Sequence, residues 1–338
     1  MAQYEELPQG LDFKDRKVGL VIFGIFQILL GCFCGLLVPL MILGTIASTV
    51  AADGAEAVHP KMMIPGVLVY LLAAAWFITM GIGSIMTRRW ARALILVSSW
   101  LWLVGGAFGL IFVLFVVPKM YGRMVQSDQM PKAVAVAVKL VMIGTMAVIY
   151  VVIPSALVLF YRSRHVKATC EYRDPKIRWT DKCPLPVLAV SLSCAVWVAS
   201  MLWMGAFNWA IPFFGYILDG IPGMVLVLIL LLLLAYTGWG TYKLNMKAWW
   251  CALLVIVGWF MSTIITFSAD GMLTYYEKMD FPPQQLELMK KYEMILRPTM
   301  NIMMASWVIA TILYLMYIRK YFVAASGGKT ASHITDLP

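Results

Sequence analysis

Eight apolar runs, each about the length that crosses a bilayer as a helix, limit what this chain can fold into. They fall at 18–44, 64–86, 93–117, 139–161, 185–206, 222–242, 248–267 and 298–322. Hydrocarbon offers no water to backbone amides, so each run is predicted to satisfy its own hydrogen bonds as a helix. No Asp, Glu, Lys, Arg or His falls in the middle of any run. The chain is 62% hydrophobic and 13% charged, against about 45–50% and about 25% for soluble domains. The expected fold class is all-α, a polytopic transmembrane helical bundle of about eight spans. The first 17 residues are polar and mixed in charge, so they do not read as a cleavable signal peptide. Residues 207–220, rich in aromatics and holding Pro212 and Asp219, read either as a loop or as a re-entrant segment.

A second feature organises these runs. Ile64-Pro65-Gly66 opens one of them and Gly81-Ile82-Gly83-Ser84 closes it, with Trp90 and Ala93-Leu94 following. Ile221-Pro222-Gly223 and Gly238-Trp239-Gly240-Thr241 repeat the pattern 157 positions later, followed by Trp249 and Ala252-Leu253. The tryptophans stand 159 apart, which suggests a two-residue insertion in the second turn. Tyr121-Gly-Arg123-Met124 matches Tyr276-Glu-Lys278-Met279 at an offset of 155, and Leu157-x-Leu159-x-Tyr161 matches Leu313-x-Leu315-x-Tyr317 at 156. These matches predict two four-span repeats. A unit of four spans returns the chain to the side it started from, so the repeats are expected to be parallel. The expected divisions are a tail (1–17), a first unit (18–161), a basic linker (162–184), a second unit (185–322) and a C-terminal tail (323–338).

Charge sets the expected orientation. With the termini on one side, that side takes 18 of the 27 Lys and Arg, so both termini are expected in the cytoplasm. The net charge of +10 is explained by these loops, and no basic-aromatic module points to nucleic acid.

Several residues carry specific expectations. Gly81, Gly83, Gly238 and Gly240 are read as sites of close helix approach, and Pro65 and Pro222 as first-turn prolines. Trp90, Trp179 and Trp249 are read as interfacial anchors. Tyr121 with Arg123, and Tyr276 with Lys278, pair a phenol with a cation and form the candidate binding site for an anionic ligand. The linker holds seven Lys or Arg against three acids between Arg162 and Cys183, which suits anionic lipid. Cys170 and Cys183, spaced Cys-x12-Cys, fit no standard zinc knuckle and read as reduced structural thiols. No His-Glu-x-x-His, Gly-x-Ser-x-Gly or P-loop occurs, so no catalytic residue, metal or cofactor is assigned.

On Gly-x-Gly followed by Arg88-Arg89-Trp90-Ala91-Arg92-Ala93-Leu94, and on the linker run from Cys170 to Pro186, the chain resembles uncharacterised multi-pass inner-membrane proteins of bacteria. The resemblance implies the inner membrane as its location and carries no activity. The functional expectation is a non-enzymatic integral membrane protein that binds membrane lipids, an apolar ligand or partner membrane helices. The alternative is a transporter or channel for a neutral or lipid-like solute. The polar groups in the spans, such as Gln27, Ser262 and Thr266, read chiefly as interhelical hydrogen-bonding groups.

Overall fold

The computed structural model describes residues 13–51, 60–126, 131–269, 271–281 and 283–327. In chain order the helices are α1 (Lys17–Ala51), α2 (Pro60–Ile85), α3 (Arg89–Gln126), α4 (Lys132–Ala147), α5 (Ile153–Arg162), α6 (Arg164–Arg173), α7 (Leu185–Met201), α8 (Gly220–Tyr242), α9 (Met246–Ala269), α10 (Gly271–Lys278) and α11 (Pro283–Ser326). A π-helical turn at Val148–Val152 joins α4 to α5. Eight segments among the described residues are long and apolar enough to cross a membrane, in the places the apolar runs predict. The chain is a multi-pass helical membrane protein.

Local chemistry explains where the helices depart from regularity. Pro154 has no N–H to offer the carbonyl four residues back, and the ladder adjusts just before it. Ile153 N–H donates to the Val148 carbonyl, five residues back. Pro222 lies in the first turn of α8, as expected. Pro65 does not lie at a helix start, because α2 begins at Pro60 and Pro65 falls inside it.

Residues 207–220 form neither a plain loop nor a helical re-entrant segment. They hold a β-hairpin, β1 (Ile211–Phe213) and β2 (Tyr216–Leu218), paired antiparallel with Phe213 opposite Tyr216. Phe214 and Gly215 turn the hairpin at positive φ. The Phe214 N–H donates to Ser262 Oγ at 2.9 Å and the Gly215 N–H to Thr266 Oγ1 at 3.0 Å. Ser262 Oγ donates in turn to the Pro212 carbonyl at 3.0 Å. Two hydroxyls of α9 thus supply partners for the hairpin turn.

The chain divides into two compact units, Met1–Ser99 with Ser155–Lys182, and Trp100–Pro154 with Cys183–Pro338. This division does not follow the sequence halves at 18–161 and 185–322. The part of α3 from Trp100 onward and all of α4 belong with the C-terminal helices, where Phe108 of α3 meets Trp307 edge to face at 4.8 Å.

In the first unit, α1 packs along α2 through paired glycines. A Cβ on Gly24 would stand 2.8 Å from the Gly81 carbonyl oxygen, and one on Gly81 would stand 2.6 Å from the Gly24 oxygen. Among helices in lipid, such close backbone approach supplies the packing that apolar burial alone does not. Ser84, buried, closes the seam: its Oγ donates to the Leu20 carbonyl at 2.8 Å and lies 2.6 Å from Tyr161 Oη. Gln27 Nε2 donates to the same phenol at 3.4 Å. In the second unit, Ser191 Oγ on α7 donates to the Gly238 carbonyl on α8 at 2.7 Å, and Trp249, Leu315, Ile318 and Phe322 build the core.

The turns α2–α3 and α8–α9 share one geometry. Thr87 N–H donates to the Ser84 carbonyl and Arg88 N–H to that of Gly83; Leu244 N–H donates to Thr241 and Asn245 N–H to Gly240. Thr87 and Leu244 hold the left-handed position, at φ 54° and 56°. This is a Schellman-type helix end with a non-glycine residue where glycine is usual. Every partner keeps a 157-residue offset, which leaves no place within these turns for the two-residue difference between Trp90 and Trp249. Trp249 matches Arg92 in this register, and Trp90 matches Lys247. At the 156-residue offset burial differs: Tyr161 is 0% exposed whereas Tyr317 is 52% exposed.

A Gly81→Ala change is expected to overpack the α1–α2 seam and cost about 1–3 kcal/mol. The measurement is the unfolding midpoint of the purified full chain. Gly44→Ala, where a Cβ meets no atom within 4 Å, is expected to leave the midpoint in place. Equal shifts would contradict the seam.

Candidate functional site

The polar chemistry of the first unit gathers where the linker folds against the α2–α3 turn. Helix α6 buries Val166, Thr169 and Cys170. The segment before α1 ties to it by three hydrogen bonds. Lys14 N–H donates to His165 Nδ1 at 3.3 Å, Arg16 N–H to Thr169 Oγ1 at 3.0 Å, and Arg173 Nη2 to Asp15 Oδ2 at 2.7 Å.

Asp174, at the end of α6, is the centre of the cluster and only 3% exposed. Arg178 donates to it twice, Nη2 to Oδ1 at 3.0 Å and Nε to Oδ2 at 3.3 Å. Arg88 Nη1 stands 3.7 Å from Oδ1. The backbone N–H of Arg89, the first residue of α3, donates to Oδ2 at 3.4 Å. A carboxylate from the linker therefore sits at the N-terminus of α3, where unpaired amides and the helix dipole favour negative charge. Burial alone would raise the Asp174 pKa, but the hydrogen bonds from Arg178 and Arg89 and the two guanidinium charges outweigh it and hold it below the ordinary value. The other two linker acids serve the same turn. Glu171 Oε1 lies 3.2 Å from Arg89 Nη2, and Asp181 Oδ2 lies 3.8 Å from Arg89 Nε while accepting the Arg178 N–H at 2.9 Å.

Beside this turn is a pocket of about 380 Å³. It is lined by Thr79, Ile82 and Gly83 of α2, by Met86 just past the end of that helix, and by Arg88, Trp90 and Arg178. A Cβ on Gly83 would stand 2.6 Å from that of Ala91, so the glycine lets the start of α3 close on α2 here. The arrangement can bind an anion with an apolar tail.

The two linker cysteines are buried free thiols. Burial pushes Cys170 up to about 11, partly offset by Arg92, and Cys183 up to about 12. Both are thiols at neutral pH. Among the described residues, no three His, Cys, Asp or Glu side chains gather closely enough to hold a metal ion.

Other residues singled out in the sequence have different places. The side chains of Tyr121 and Arg123 lie outside the described residues. Tyr276 packs edge to face on Phe281 at 5.0 Å, and burial raises its pKa. Lys278 Nζ donates to the Ile217 carbonyl at 2.6 Å and to Asp219 Oδ1 at 3.1 Å, so it clamps the hairpin to α10. Gly238 meets Cys194 Cβ, and Gly240 meets Ala248, both in close contact. Trp179 is 46% exposed. Trp249, expected at the interface, is instead wholly buried; its Nε1–H donates to the Leu315 carbonyl at 2.9 Å and Arg319 lies over its ring. Nothing in the sequence pairs Ser84 with Tyr161, although Ser84 directly follows the Gly-x-Gly.

No protein-family model, curated protein or solved structure matches the chain.

Asp174→Asn removes the charge facing two guanidinium groups, and a loss on the order of 2 kcal/mol is expected at neutral pH. The folded carboxyl has a pKa below its unfolded value of 3.8, so its contribution is full above that value and fades as pH falls through the folded pKa. Melting temperatures of the wild type and Asp174→Asn are expected to differ at pH 7 and to converge in acid. A gap that stays constant would contradict this account.

Proposed function

We propose that this protein is a non-enzymatic multi-pass protein of a cell inner membrane, built from two parallel four-span repeats, that binds lipid or another apolar ligand. The observation that carries the binding reading is the pocket at the α2–α3 turn, which joins an apolar helix face to a pair of guanidinium groups. Duplication is supported by the two turns that keep one register of hydrogen bonds at 157 residues. It is also supported by matching burial at that offset, with Val158 and Tyr161 corresponding to buried Leu315 and Ile318. An orientation with both termini in the cytoplasm is supported by the distribution of basic residues.

Binding is favoured over transport by where the charges lie. Lys139 falls inside the fourth apolar segment, Ala133–Arg162. It lies six residues from one end of that segment, where its long side chain can reach the nearer interface. The acids of the linker cluster, Glu171, Asp174 and Asp181, are each paired with arginine, which leaves them poorly placed for acid–base work and favours a binding role over catalysis.

Two experiments test this reading. Stripping lipid from the purified full chain is expected to lower its melting temperature by a few degrees, and adding lipid back is expected to restore it. A melting temperature indifferent to lipid would contradict lipid binding. Reporter fusions after Lys61, Met130 and Gln285 are expected to read as external, and one after Ser163 as cytoplasmic. An external signal at Ser163 would overturn the topology.

A further inference from the structure

The pocket at the α2–α3 turn is more specific than a general apolar site, and its chemistry names a ligand class. Arg88 comes from the turn and Arg178 from the linker, about ninety residues later. Both meet the carboxylate of Asp174 at Oδ1, and both line the pocket. One carboxylate balances only one of the two positive charges, and the pair keeps an excess cation at the pocket wall. Each guanidinium has five N–H donors; Arg178 spends two on Asp174, and Arg88 stands at the longer distance of 3.7 Å. Both therefore keep donors for a second acceptor. Two planar donor forks are suited to the tetrahedral oxygens of a phosphate.

The apolar part of the lining is one stripe at the C-terminal end of α2. Thr79, Ile82 and Gly83 share one helix face, and Met86, whose N–H donates to the Ile82 carbonyl just past the helix end, continues it for about 10 Å in all. Ile82 and Met86 are 47% and 52% exposed. In a membrane protein such a face meets acyl chains. Trp90 lines the same pocket, and an indole is at home where headgroup meets hydrocarbon. The volume of about 380 Å³ suits a phosphoglycerol headgroup, with the chains continuing outside the pocket along α2.

Resting on the lipid-binding reading above, we propose that the pocket holds the phosphate of an anionic phospholipid between Arg88 and Arg178, with its acyl chains on the Ile82–Met86 stripe. A choline headgroup would bring a cation toward two guanidinium groups, so zwitterionic lipid is discriminated against. The cluster around Asp174 then has a second role. It positions two arginines from distant parts of the chain at one phosphate.

The test is native mass spectrometry of the detergent-solubilised full chain, titrated with dioleoyl phosphatidylglycerol, with dioleoyl phosphatidylcholine or with inorganic phosphate. The wild type is expected to retain the glycerol lipid about tenfold better than the choline lipid, and Arg88→Gln with Arg178→Gln to remove that preference. Because that double variant disturbs the ion pairs of Asp174, Ile82→Trp serves as the second variant. It fills the pocket with the arginines in place, and is expected to cut retention of the glycerol lipid by a similar factor. Arg162→Gln with Arg164→Gln, which removes two exposed cations elsewhere in the same unit, is expected to leave the preference intact. Equal loss in that control would reduce the effect to surface charge and overturn the site. Displacement of the glycerol lipid by inorganic phosphate at similar concentration would assign the pocket to free phosphate and overturn the lipid assignment. A preference surviving both pocket variants would overturn the location while sparing lipid binding. Failure to retain either lipid would overturn the broader reading as well.

Discussion

Backbone amides inside hydrocarbon have no solvent to turn to, and the organisation of this protein depends on that constraint. Each long apolar segment closes its own hydrogen bonds as a helix, and deviations occur where the sequence forces them. At Pro154 a missing N–H is met by a π-helical turn, and at the hairpin two α9 hydroxyls receive the turn amides. Because lipid tails are as apolar as leucine, helices gain little from hydrophobic burial against one another. The contacts that hold them are therefore backbone-close or polar: Gly24 on Gly81, Ser84 with Tyr161 and Leu20, Ser191 on Gly238.

The same constraint moves charge to the helix ends, and there the first unit uses it economically. The start of α3 carries Arg88, Arg89 and Arg92 in close succession, a cluster that would repel itself if left alone. The linker returns three acids to it. Asp174 takes the central place because it meets both a backbone amide at the helix N-terminus and two guanidinium groups. The turn itself holds Thr87 at positive φ, an uncommon conformation for a β-branched residue. A strained turn, a buried carboxylate and a pocket thus occupy one end of one unit. The corresponding turn in the second unit has the same backbone, with Asn245, Lys247 and Trp249 in place of Arg88, Trp90 and Arg92. One backbone device supports an ion-pair cluster in one unit and a tryptophan-centred core in the other.

Much of this was legible in the sequence, and the failures have physical causes. The eight spans follow from apolar run length, which lipid makes a nearly sufficient signal. The glycine positions were legible because close approach needs the missing Cβ. Residue identity misled where identity and environment part. Trp90 and Trp249 look equivalent, but backbone register pairs Trp249 with Arg92 and buries it. Tyr161 and Tyr317 look equivalent, but one is buried and the other exposed. The hairpin at 211–218 was hidden by its short strands and by Pro212, and its supporting hydroxyls come from α9, some fifty residues away. The pocket was hidden for a related reason. Net charge marks the linker as basic, but only tertiary contacts reveal that its acids engage the arginines of the turn and bring Arg178 beside Arg88.

The linker, through Asp174, holds the α2–α3 turn, whereas the α8–α9 turn keeps the same backbone without it. Hydrogen–deuterium exchange of the full chain in lipid nanodiscs tests this dependence, comparing wild type with Asp174→Asn on peptides covering 84–92 and 241–249. Slow exchange is expected at both turns in the wild type, and faster exchange in the variant at 84–92 alone. Unchanged exchange at 84–92, or equal acceleration at both turns, would contradict it.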